Sequence, residues 1–316
     1  MGRGIVLPNR VALIAGDDGA RAALQALCAF GARWATTATN AAALVCGTSQ
    51  SDSGFALEAA ARRQAASLGI PIACIEDFPG NYREVDGAPT RLLVVEGEFS
   101  ERLYRARLTS PPPMAVVPPA RYDPLRGAAP NPATDVPPYR VLWAGQPETV
   151  SCLATLEGIR DFLRAPDLEF VFRAHPRDAG YAAGAYRRLL DSLAPRCRDA
   201  SAAPLAQLLR EPLHLVLTQY SSVALEAGFL GIPSAYVLFA GAGADLLQAQ
   251  KGYAVPMPCD AGAAFLVNDT QSLGILDRAL RDAPARRSVV ERFRRVYHAG
   301  EPQAARLAES LVGIMK

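Results

Sequence analysis

The chain has 316 residues, half of them apolar, which is enough for about two domains with hydrophobic cores. Its 33 basic and 31 acidic residues leave a net charge of +2. This balance lacks the one-sided basic field of most nucleic-acid-binding proteins, so no nucleic acid partner is expected. The six cysteines form no CxxC or Cys/His cluster, which argues against a disulfide framework and a structural zinc site.

Short apolar runs alternate with segments of helical periodicity, a pattern typical of parallel sheets with helices on both faces. The N-terminal apolar run, residues 11–15, is too short for a signal peptide, and no run approaches the length of a membrane-spanning helix. A cytoplasmic protein is therefore expected. In the first half we predict strands at 11–15, 43–46, 70–75 and 92–95, and helices near 19–31, 54–68 and 98–107.

Ten of the 25 prolines fall between residues 111 and 138. Proline lacks a backbone donor, so this density excludes a long helix and a central strand, although a short closing strand at 114–117 remains compatible. We therefore place an N-terminal domain at 1–120, a Pro-rich linker at 121–138 and a C-terminal domain at 139–316.

The second half repeats the alternation, so both domains are predicted to be Rossmann-type, doubly wound α/β domains. Ligands of such sheets bind at the carboxyl ends of the strands, and we expect the two domains to face a central cleft. The predicted strands are 141–144, 169–173, 213–218 and 234–238, and the helices lie near 150–164, 179–193, 203–210, 221–230, 271–282, 285–298 and 302–315.

The segment LVLTQYSSVALEA, residues 215–227, combines an apolar strand with a helix start. Ser221 and Ser222 open the helix, where unpaired N–H groups and the positive dipole end suit a phosphate. Glu226 lies four residues after Ser222 on the same helical face, within reach of sugar hydroxyls attached to that phosphate. The alternative is that one serine only caps the helix and that Glu226 is solvated.

The segment FVFRAHPRD, residues 170–178, places His175 directly after a strand. An imidazole at this position can donate to a phosphate oxygen or protonate a leaving group, and Arg173 and Arg177 add positive charge. The alternative is a structural histidine.

The segment CIEDFPGNY, residues 74–82, carries two adjacent carboxylates at a strand end. Adjacent residues of an extended strand point to opposite sides, so one of the two can face a ligand. Asp77 lies further toward the loop and is the favoured general base over Glu76. The alternative is a turn or cap role, and Asp17 and Asp18 are the next base candidates.

The chain contains no Walker A motif, no GxSxG elbow, no HExxH and no DxD pair. Neither a metal ion nor an organic cofactor is therefore expected.

The segments AGDDGARA, CGTS, GIPIACIEDFPGNY, AGQP, RAHPRD and TQYSSVALEAGFLGIPS together resemble those of GT-B type glycosyltransferases. The chain is similar to the relatives of bacterial sialyltransferases and polysialyltransferases, CDP-glycerol glycerophosphotransferases and non-hydrolysing UDP-GlcNAc 2-epimerases. This resemblance covers nearly the whole chain and implies a GT-B-like fold.

The resemblance also implies roles for individual residues. The HP motif of bacterial sialyltransferases matches His175 and Pro176, so His175 would contact the donor phosphate or assist departure of the nucleotide. Their Ser/Thr-rich motif matches Ser221 and Ser222 as phosphate ligands, and Glu226 matches the residue that holds the ribose. Further donor contacts are expected from residues of the same segments, namely Gln146, Arg173, Arg177 and Tyr220.

The acidic base motif of the sialyltransferases corresponds best to Glu76 and Asp77, with Phe78 in place of the motif's glycine. An exact Asp-Asp-Gly sequence occurs at 17–19, although it comes one strand too early in the fold for that motif, and Asp18 is the second base candidate.

These matches imply metal-independent transfer of a sugar from a CMP- or UDP-activated donor to a hydroxyl acceptor, with glycan biosynthesis as the setting. The acceptor would be a glycan, a lipid-linked compound or a small molecule. Two alternatives stay open: a UDP-GlcNAc 2-epimerase-like isomerase, and a non-catalytic nucleotide-sugar-binding relative. The basic segment 285–295 predicts an amphipathic helix, for which packing across the domain junction is favoured over peripheral contact with a membrane surface.

Overall fold

The computed structural model describes residues 6–7 and 10–313, and the chain divides into two compact units. The first unit comprises Met1–Arg126 and Glu301–Lys316, and the second comprises Gly127–Gly300. Each unit is built on a six-stranded sheet whose strand pairs are all parallel among the described residues. Parallel sheets are covered by helices on both faces, as the alternating sequence pattern predicts.

The first sheet has the strand order β2-β1-β3-β4-β5-β6. Its inner strands are buried along their whole length, which explains their continuous apolar sequences. The strands are β1 (Val11–Ile14), β2 (Arg33–Trp34), β3 (Ala43–Cys46), β4 (Ile72–Ile75), β5 (Leu92–Val95) and β6 (Met114–Val116). The helices are α1 (Asp18–Leu24), α2 (Asp52–Ser67) and α3 (Glu98–Arg107), with 3₁₀ helices at Gln25–Phe30 and Ala120–Leu125.

The second sheet has the strand order β12-β11-β10-β7-β8-β9. Its strands are β7 (Tyr139–Ala144), β8 (Leu168–Arg173), β9 (Cys197–Asp199), β10 (Leu215–Thr218), β11 (Ser234–Val237) and β12 (Phe265–Val267). The helices are α4 (Thr149–Gly158), α5 (Arg160–Leu163), α6 (Ala179–Ala182), α7 (Arg187–Leu193), α8 (Leu205–Leu208), α9 (Val223–Phe229), α10 (Gly243–Lys251), α11 (Met257–Asp260), α12 (Gly274–Arg281) and α13 (Ala283–Val296), with a 3₁₀ helix at Gln271–Leu273.

The C-terminal helix α14 (Ala304–Val312) packs on the first unit, although the sequence analysis assigned residues 301–316 to the second domain. Its buried face, formed by Leu307 and Leu311, joins the hydrophobic core of the first sheet. The Asp123 carboxylate accepts hydrogen bonds from the backbone N–H groups of Gln303 at 2.9 Å and Ala304 at 2.8 Å, which caps the helix. An amphipathic sequence does not specify which core its apolar face will join.

The predicted linker is also divided differently, because the first unit continues to Arg126 instead of ending at residue 120. Tyr122 is buried, and Arg126 forms an ion pair with Asp123 at 2.7 Å within the 3₁₀ helix. Asn131, in the remaining part, donates to the backbone oxygen of Leu209 in the second unit at 3.3 Å. The first part of the proline-rich segment thus makes its contacts within the first unit, and the later part makes its contacts within the second unit.

Three of the four edge strands, β2, β9 and β12, and the helices α10 and α11 were not predicted from the sequence. Strands of two or three residues carry too few alternations for a period to be recognised. The predicted helix 179–193 is divided into α6 and α7, and Gly184 lies in the break with a positive φ of 78°.

Helix α13 contains the basic segment 285–295 and packs within the second unit. The Phe293 ring contacts that of Phe229 in α9 edge-on, with ring centroids 5.2 Å apart. Gly228 permits this approach, since a Cβ there would lie 2.5 Å from the Phe293 ring. Among residues 6–7 and 10–313, no helix combines the length and apolar character needed to cross a bilayer.

Candidate functional site

The carboxyl edge of the first sheet gathers five carboxylates, of which four are buried and one, Asp17, is half-buried. We call this set the acidic edge; it consists of Asp17, Glu58, Glu76, Asp77 and Glu96. Asp17, Asp77 and Glu96 follow strands β1, β4 and β5, whereas Glu58 projects from α2. The parallel arrangement explains their proximity, because carboxyl ends of parallel strands lie along one edge of the sheet.

Asp77 has one oxygen held and one oxygen free. Its Oδ1 accepts hydrogen bonds from Thr48 Oγ1 at 2.6 Å and from Asn81 Nδ2 at 2.9 Å. Its Oδ2 accepts no hydrogen bond from a described residue and lies beside Gly19, where an added Cβ would approach it to 2.8 Å. Burial raises the pKa of Asp77, an effect that its hydrogen bonds to Thr48 and Asn81 partly oppose. A positioned carboxylate with a raised pKa suits a general base.

Glu76, the other candidate of this strand end, has both oxygens engaged. Its Oε1 accepts from Tyr104 Oη at 2.6 Å and from the Gly80 N–H at 3.3 Å, and its Oε2 accepts from the Glu96 N–H at 3.0 Å. Burial raises the pKa of this carboxyl. The alternation of the extended backbone thus directs Glu76 into the interior and leaves Asp77 on the opposite side.

Asp17 and Asp18 differ in the same way. Asp17 caps α1, because its Oδ1 accepts from the Ala20 N–H at 3.0 Å, and its Oδ2 accepts from the Gln50 N–H at 2.9 Å. Asp18 is exposed in the first turn of α1, and its carboxylate makes no hydrogen bond to the described part of the chain. Two hydrogen bonds therefore fix the Asp77 carboxylate, whereas none from the described residues fixes that of Asp18.

Four residues at this edge were not singled out from the sequence: Glu58, Asn81, Glu96 and Arg121. Asn81 follows Asp77 by four residues in a loop, a spacing that gives some local signal. Glu96 and Arg121 give none, because their contact joins residues 25 positions apart. Arg121 Nη2 donates to Glu96 Oε1 at 2.8 Å, and its Nη1 donates to the main-chain oxygen of Asp77.

The carboxyl edge of the second sheet carries positively charged side chains and hydrogen-bond donors. We call this set the cationic edge; it consists of Gln146, Arg173, His175, Arg177 and Ser222. These residues follow strands β7, β8 and β10, apart from Arg173, which ends β8. All five residues were predicted from the sequence to bind the nucleotide-sugar donor.

His175 is held by its own loop. The Arg177 N–H donates to His175 Nδ1 at 3.1 Å, which leaves the proton of the neutral ring on Nε2. Burial, together with the charges of Arg177 and Arg173, lowers the pKa of His175. A neutral imidazole with a free Nε2–H can donate a hydrogen bond to an anionic oxygen.

Asp178 holds the His175 loop in place through hydrogen bonds, a role that was not predicted from the sequence. It is 5% exposed and caps α6 by accepting from the Gly180 and Tyr181 N–H groups at 3.0 and 3.2 Å. Its other oxygen accepts from Tyr186 Oη at 2.6 Å, and its N–H donates to the His175 oxygen at 2.9 Å. The turn that presents His175 is thereby fixed.

Two buried donors of the cationic edge have no protein partner. Gln146 Nε2 and Arg173 Nε are both inaccessible to solvent and form no hydrogen bond. Burial lowers the pKa of Arg173, and the nearby Glu226 opposes this effect. Buried polar groups in folded proteins are normally paired, so these two donors remain available to the acceptor atoms of a ligand.

The two serines at the start of α9 differ in their hydrogen bonding. Ser221 Oγ accepts from the Val223 N–H at 3.3 Å and so serves the helix end. The Ser222 hydroxyl makes no hydrogen bond to a residue that the structure describes. Tyr220 Oη donates to Glu148 Oε2 at 3.2 Å, which directs Tyr220 into the protein. Pro176 is exposed in the loop between His175 and Arg177.

No protein-family model and no curated protein matches the chain. Solved structures do match it over nearly its whole length. The spinosyn rhamnosyltransferase SpnG has a TM-score of 0.56 at 16% identity, covering 96% of this chain and 99% of that one. A UDP-glucosyltransferase from Polygonum tinctorium has a TM-score of 0.58 at 11% identity, covering 99% of both chains. The UDP-GlcNAc 2-epimerase of Methanocaldococcus jannaschii has a TM-score of 0.56 at 13% identity, covering 96% and 99%.

This likeness and the two parallel six-stranded sheets define the class: the chain has the GT-B fold, with two Rossmann-like domains. The fold expected from the sequence motifs is confirmed. The same fold occurs in glycosyltransferases and in UDP-GlcNAc 2-epimerases, so chemistry has to be argued from the residues at the strand ends.

Proposed function

We propose that this chain is a metal-independent glycosyltransferase that moves a sugar from a CMP- or UDP-activated donor to a hydroxyl acceptor. The observation that carries the proposal is the set of unpartnered donors on the cationic edge. Gln146 Nε2 and Arg173 Nε are buried without partners, and Ser222 Oγ and His175 Nε2 make no hydrogen bond to a described residue. A phosphate group supplies the oxygen acceptors that would satisfy them.

The donor phosphate would be held by protein groups in place of a metal ion. Arg173 and Arg177 supply charge, and His175 Nε2–H and the Ser222 hydroxyl supply directed hydrogen bonds. Such fixed donors stabilise the negative charge that develops on the departing nucleotide. The structure of SpnG with thymidine diphosphate supports a nucleotide ligand for this fold.

Asp77 would take the proton from the acceptor hydroxyl. Its free Oδ2 can accept the proton while Thr48 and Asn81 hold the other oxygen. Glu76 would act as a structural carboxylate, because both of its oxygens are engaged inside the first unit. The acceptor would be a glycan, a lipid-linked compound or a small molecule with a free hydroxyl.

A UDP-GlcNAc 2-epimerase-like activity is the second candidate. It is favoured by the three carboxyls of raised pKa at neighbouring strand ends, Glu76, Asp77 and Glu96, since an isomerase needs several acid and base groups. Two epimerases are among the structures of similar fold. The two functions differ in that an epimerase needs no acceptor.

Thermal unfolding in the presence of CMP, CDP, UDP, GDP and their sugars tests nucleotide binding. A ligand at 100 times its Kd stabilises the folded state by about 2.7 kcal/mol, so one nucleotide series should raise the midpoint clearly. Arg177→Ala should reduce this shift. Arg198→Ala is the matched control, because it removes the same charge from the second unit at a side chain paired with Glu211. Absence of a shift with every nucleotide would contradict both candidate functions.

Proton NMR of the products separates the two candidates. With UDP-GlcNAc alone, an epimerase produces the 2-epimer, whereas a glycosyltransferase leaves the sugar configuration unchanged or slowly hydrolyses the donor. Transfer that requires an added hydroxyl acceptor would support the glycosyltransferase, and isomerisation without an acceptor would replace it.

A further inference from the structure

Arg121 comes from the segment expected to be a linker, yet its side chain reaches the ends of two strands. Its Nη2 lies 2.8 Å from Glu96 Oε1, and its Nη1 donates to the main-chain oxygen of Asp77. The side chains of Arg121 and Glu96 are 12% and 2% exposed. Solvent therefore does little to screen this charge.

We propose that Arg121 is a positioning residue, which fixes the Asp77 loop and supplies the positive charge that keeps the Asp77 carboxylate ionised as the proton acceptor. The proposal rests on the glycosyltransferase function proposed above. Neither the sequence motifs nor the resemblance to GT-B enzymes assigns a role to Arg121.

The geometry suits this role because Arg121 binds the backbone of Asp77 and not its carboxylate. A guanidinium that paired with Oδ2 would occupy the lone pairs that must accept the substrate proton. Through the main-chain oxygen, Arg121 instead brings its charge close while Oδ2 accepts no hydrogen bond from a described residue. Arg121 thus stabilises the ionised carboxylate and leaves Oδ2 able to accept a proton.

The charges that act on Asp77 come from four elements. Asp17 precedes α1, Glu58 lies on α2, Glu96 follows β5, and Arg121 lies in the 3₁₀ helix after β6. Of these four groups, Arg121 alone is a cation. Its charge lowers the pKa of Asp77, which burial raises, whereas Asp17 raises it further.

Glu96 is the ion-pair partner of Arg121. Burial raises the pKa of Glu96 to about 8, an effect that Arg121 only partly opposes. Glu96 Oε1 accepts a hydrogen bond from Arg121 Nη2 at 2.8 Å, and because burial disfavours its ionised form, Glu96 offsets less of the Arg121 charge than an exposed carboxylate would. The positive charge of Arg121 remains available to Asp77.

The test is a ¹³C NMR titration of the Asp77 carboxyl in the full chain labelled at aspartate, with the signal assigned by its loss in Asp77→Asn. Arg121→Met should move the titration of Asp77 to higher pH, because the stabilising cation is gone. Arg121→Lys, which keeps the charge, should restore it in part. Asp17→Asn should move it to lower pH, since a repelling charge is removed.

Two variants serve as controls. Arg126→Met removes a buried arginine of the same segment, paired with Asp123, and should leave the Asp77 titration in place. Glu96→Gln removes the carboxylate that is paired with Arg121, so the Asp77 titration should stay in place or move to lower pH, and not to higher pH. Should Arg121→Met fail to fold, Arg121→Gln removes the charge but retains a hydrogen-bond donor.

An Asp77 titration at the native pH in Arg121→Met or Arg121→Gln would overturn the proposal. The measurement needs no activity, so it is independent of the proposed function. If transfer is observed, the acidic limb of its rate profile should move to higher pH together with the NMR titration. If the titration moves but no nucleotide sugar is used, the charge role stands and the glycosyltransferase function fails.

Discussion

At the carboxyl edge of the first sheet, five carboxylates are drawn into the protein, and most of their oxygens accept hydrogen bonds from the chain itself. At the same edge of the second sheet, the donors Gln146 Nε2, Arg173 Nε and His175 Nε2 make no hydrogen bond to a described residue. The two sheets share parallel strands and similar helical layers. The difference teaches that the fold supplies the edge, whereas the residues after each strand decide which ligand chemistry that edge can serve.

The acidic edge is tested most strongly by Asp77→Asn. We expect the transfer rate to fall by at least about 10²-fold, since this is the usual contribution of a general base, with nucleotide binding unchanged. Turnover and calorimetric binding of the nucleotide measure the two effects. Asp18→Asn is the matched control and should retain most activity, because Asp18 is exposed and unpositioned. The opposite ranking would move the base to Asp18.

The cationic edge is tested by the serine pair at the start of α9. Ser222→Ala should weaken nucleotide binding by roughly tenfold or more, because a hydrogen bond to a charged group contributes about 1.5–3 kcal/mol. Ser221→Ala removes the acceptor of the Val223 N–H and should instead lower the unfolding midpoint. Isothermal calorimetry and thermal unfolding of both variants separate these effects. Equal binding losses would show that the two hydroxyls do not have distinct roles.

The interior part of the acidic edge is tested by Tyr104→Phe. The Tyr104 hydroxyl donates to Glu76 and accepts from the Gly80 and Tyr82 N–H groups at 3.0 Å each. Its loss should reduce the free energy of unfolding by about 1–3 kcal/mol, the usual effect of leaving buried groups unpaired. Activity per folded molecule should persist.

Chemical denaturation measures this loss. Tyr181→Phe is the matched control, because its hydroxyl donates to Asp199 at an exposed site of the second unit. A similar loss of unfolding free energy in both variants would mean that the buried Tyr104 hydroxyl contributes no more to stability than the exposed one of Tyr181.

A further test of the acidic edge concerns the pH dependence of stability. Glutamate titrates near 4.5 when free, and burial raises the pKa of Glu96 to about 8. A raised pKa in the folded state favours folding most below pH 4.5, and this contribution is lost as the pH rises through about 8. Urea denaturation should therefore show stability falling between about pH 4.5 and pH 8, with a smaller fall in Glu96→Gln.

Glu169→Gln, in the second unit, is the control for that slope and should match the native chain. A native slope in Glu96→Gln would mean that Glu96 is not the group that titrates. The other buried carboxyls of the acidic edge have their pKa raised by burial as well, so some slope should remain.

Much of the fold follows from local sequence. The strands Ala43–Cys46 and Leu92–Val95 and the helix Glu98–Arg107 have the predicted bounds, because each has a clear apolar run or a clear helical period. The short strands β2 and β12 were missed, since two or three residues carry no period. Helix α14 was assigned to the wrong unit, because its apolar face matches either core until the chain is folded.

The candidate site divides in the same manner. Motifs placed His175, Ser222 and Asp77 at strand ends, since strand and turn patterns are local in the chain. The partners of these residues are not local: Thr48 lies 29 positions before Asp77, and Arg121 lies 44 positions after it. No pattern within one segment reports such contacts.

The amino-acid sequence by itself determined two α/β domains, a nearly neutral charge and the polar residues that follow the strands. Local periodicity and composition are sufficient for these features. The tertiary structure alone decided which carboxylate keeps a free oxygen, which serine caps its helix and which arginine lies beside Asp77. Burial and hydrogen bonding between distant segments set those roles, and they exist only after the parallel strands have brought their carboxyl ends together.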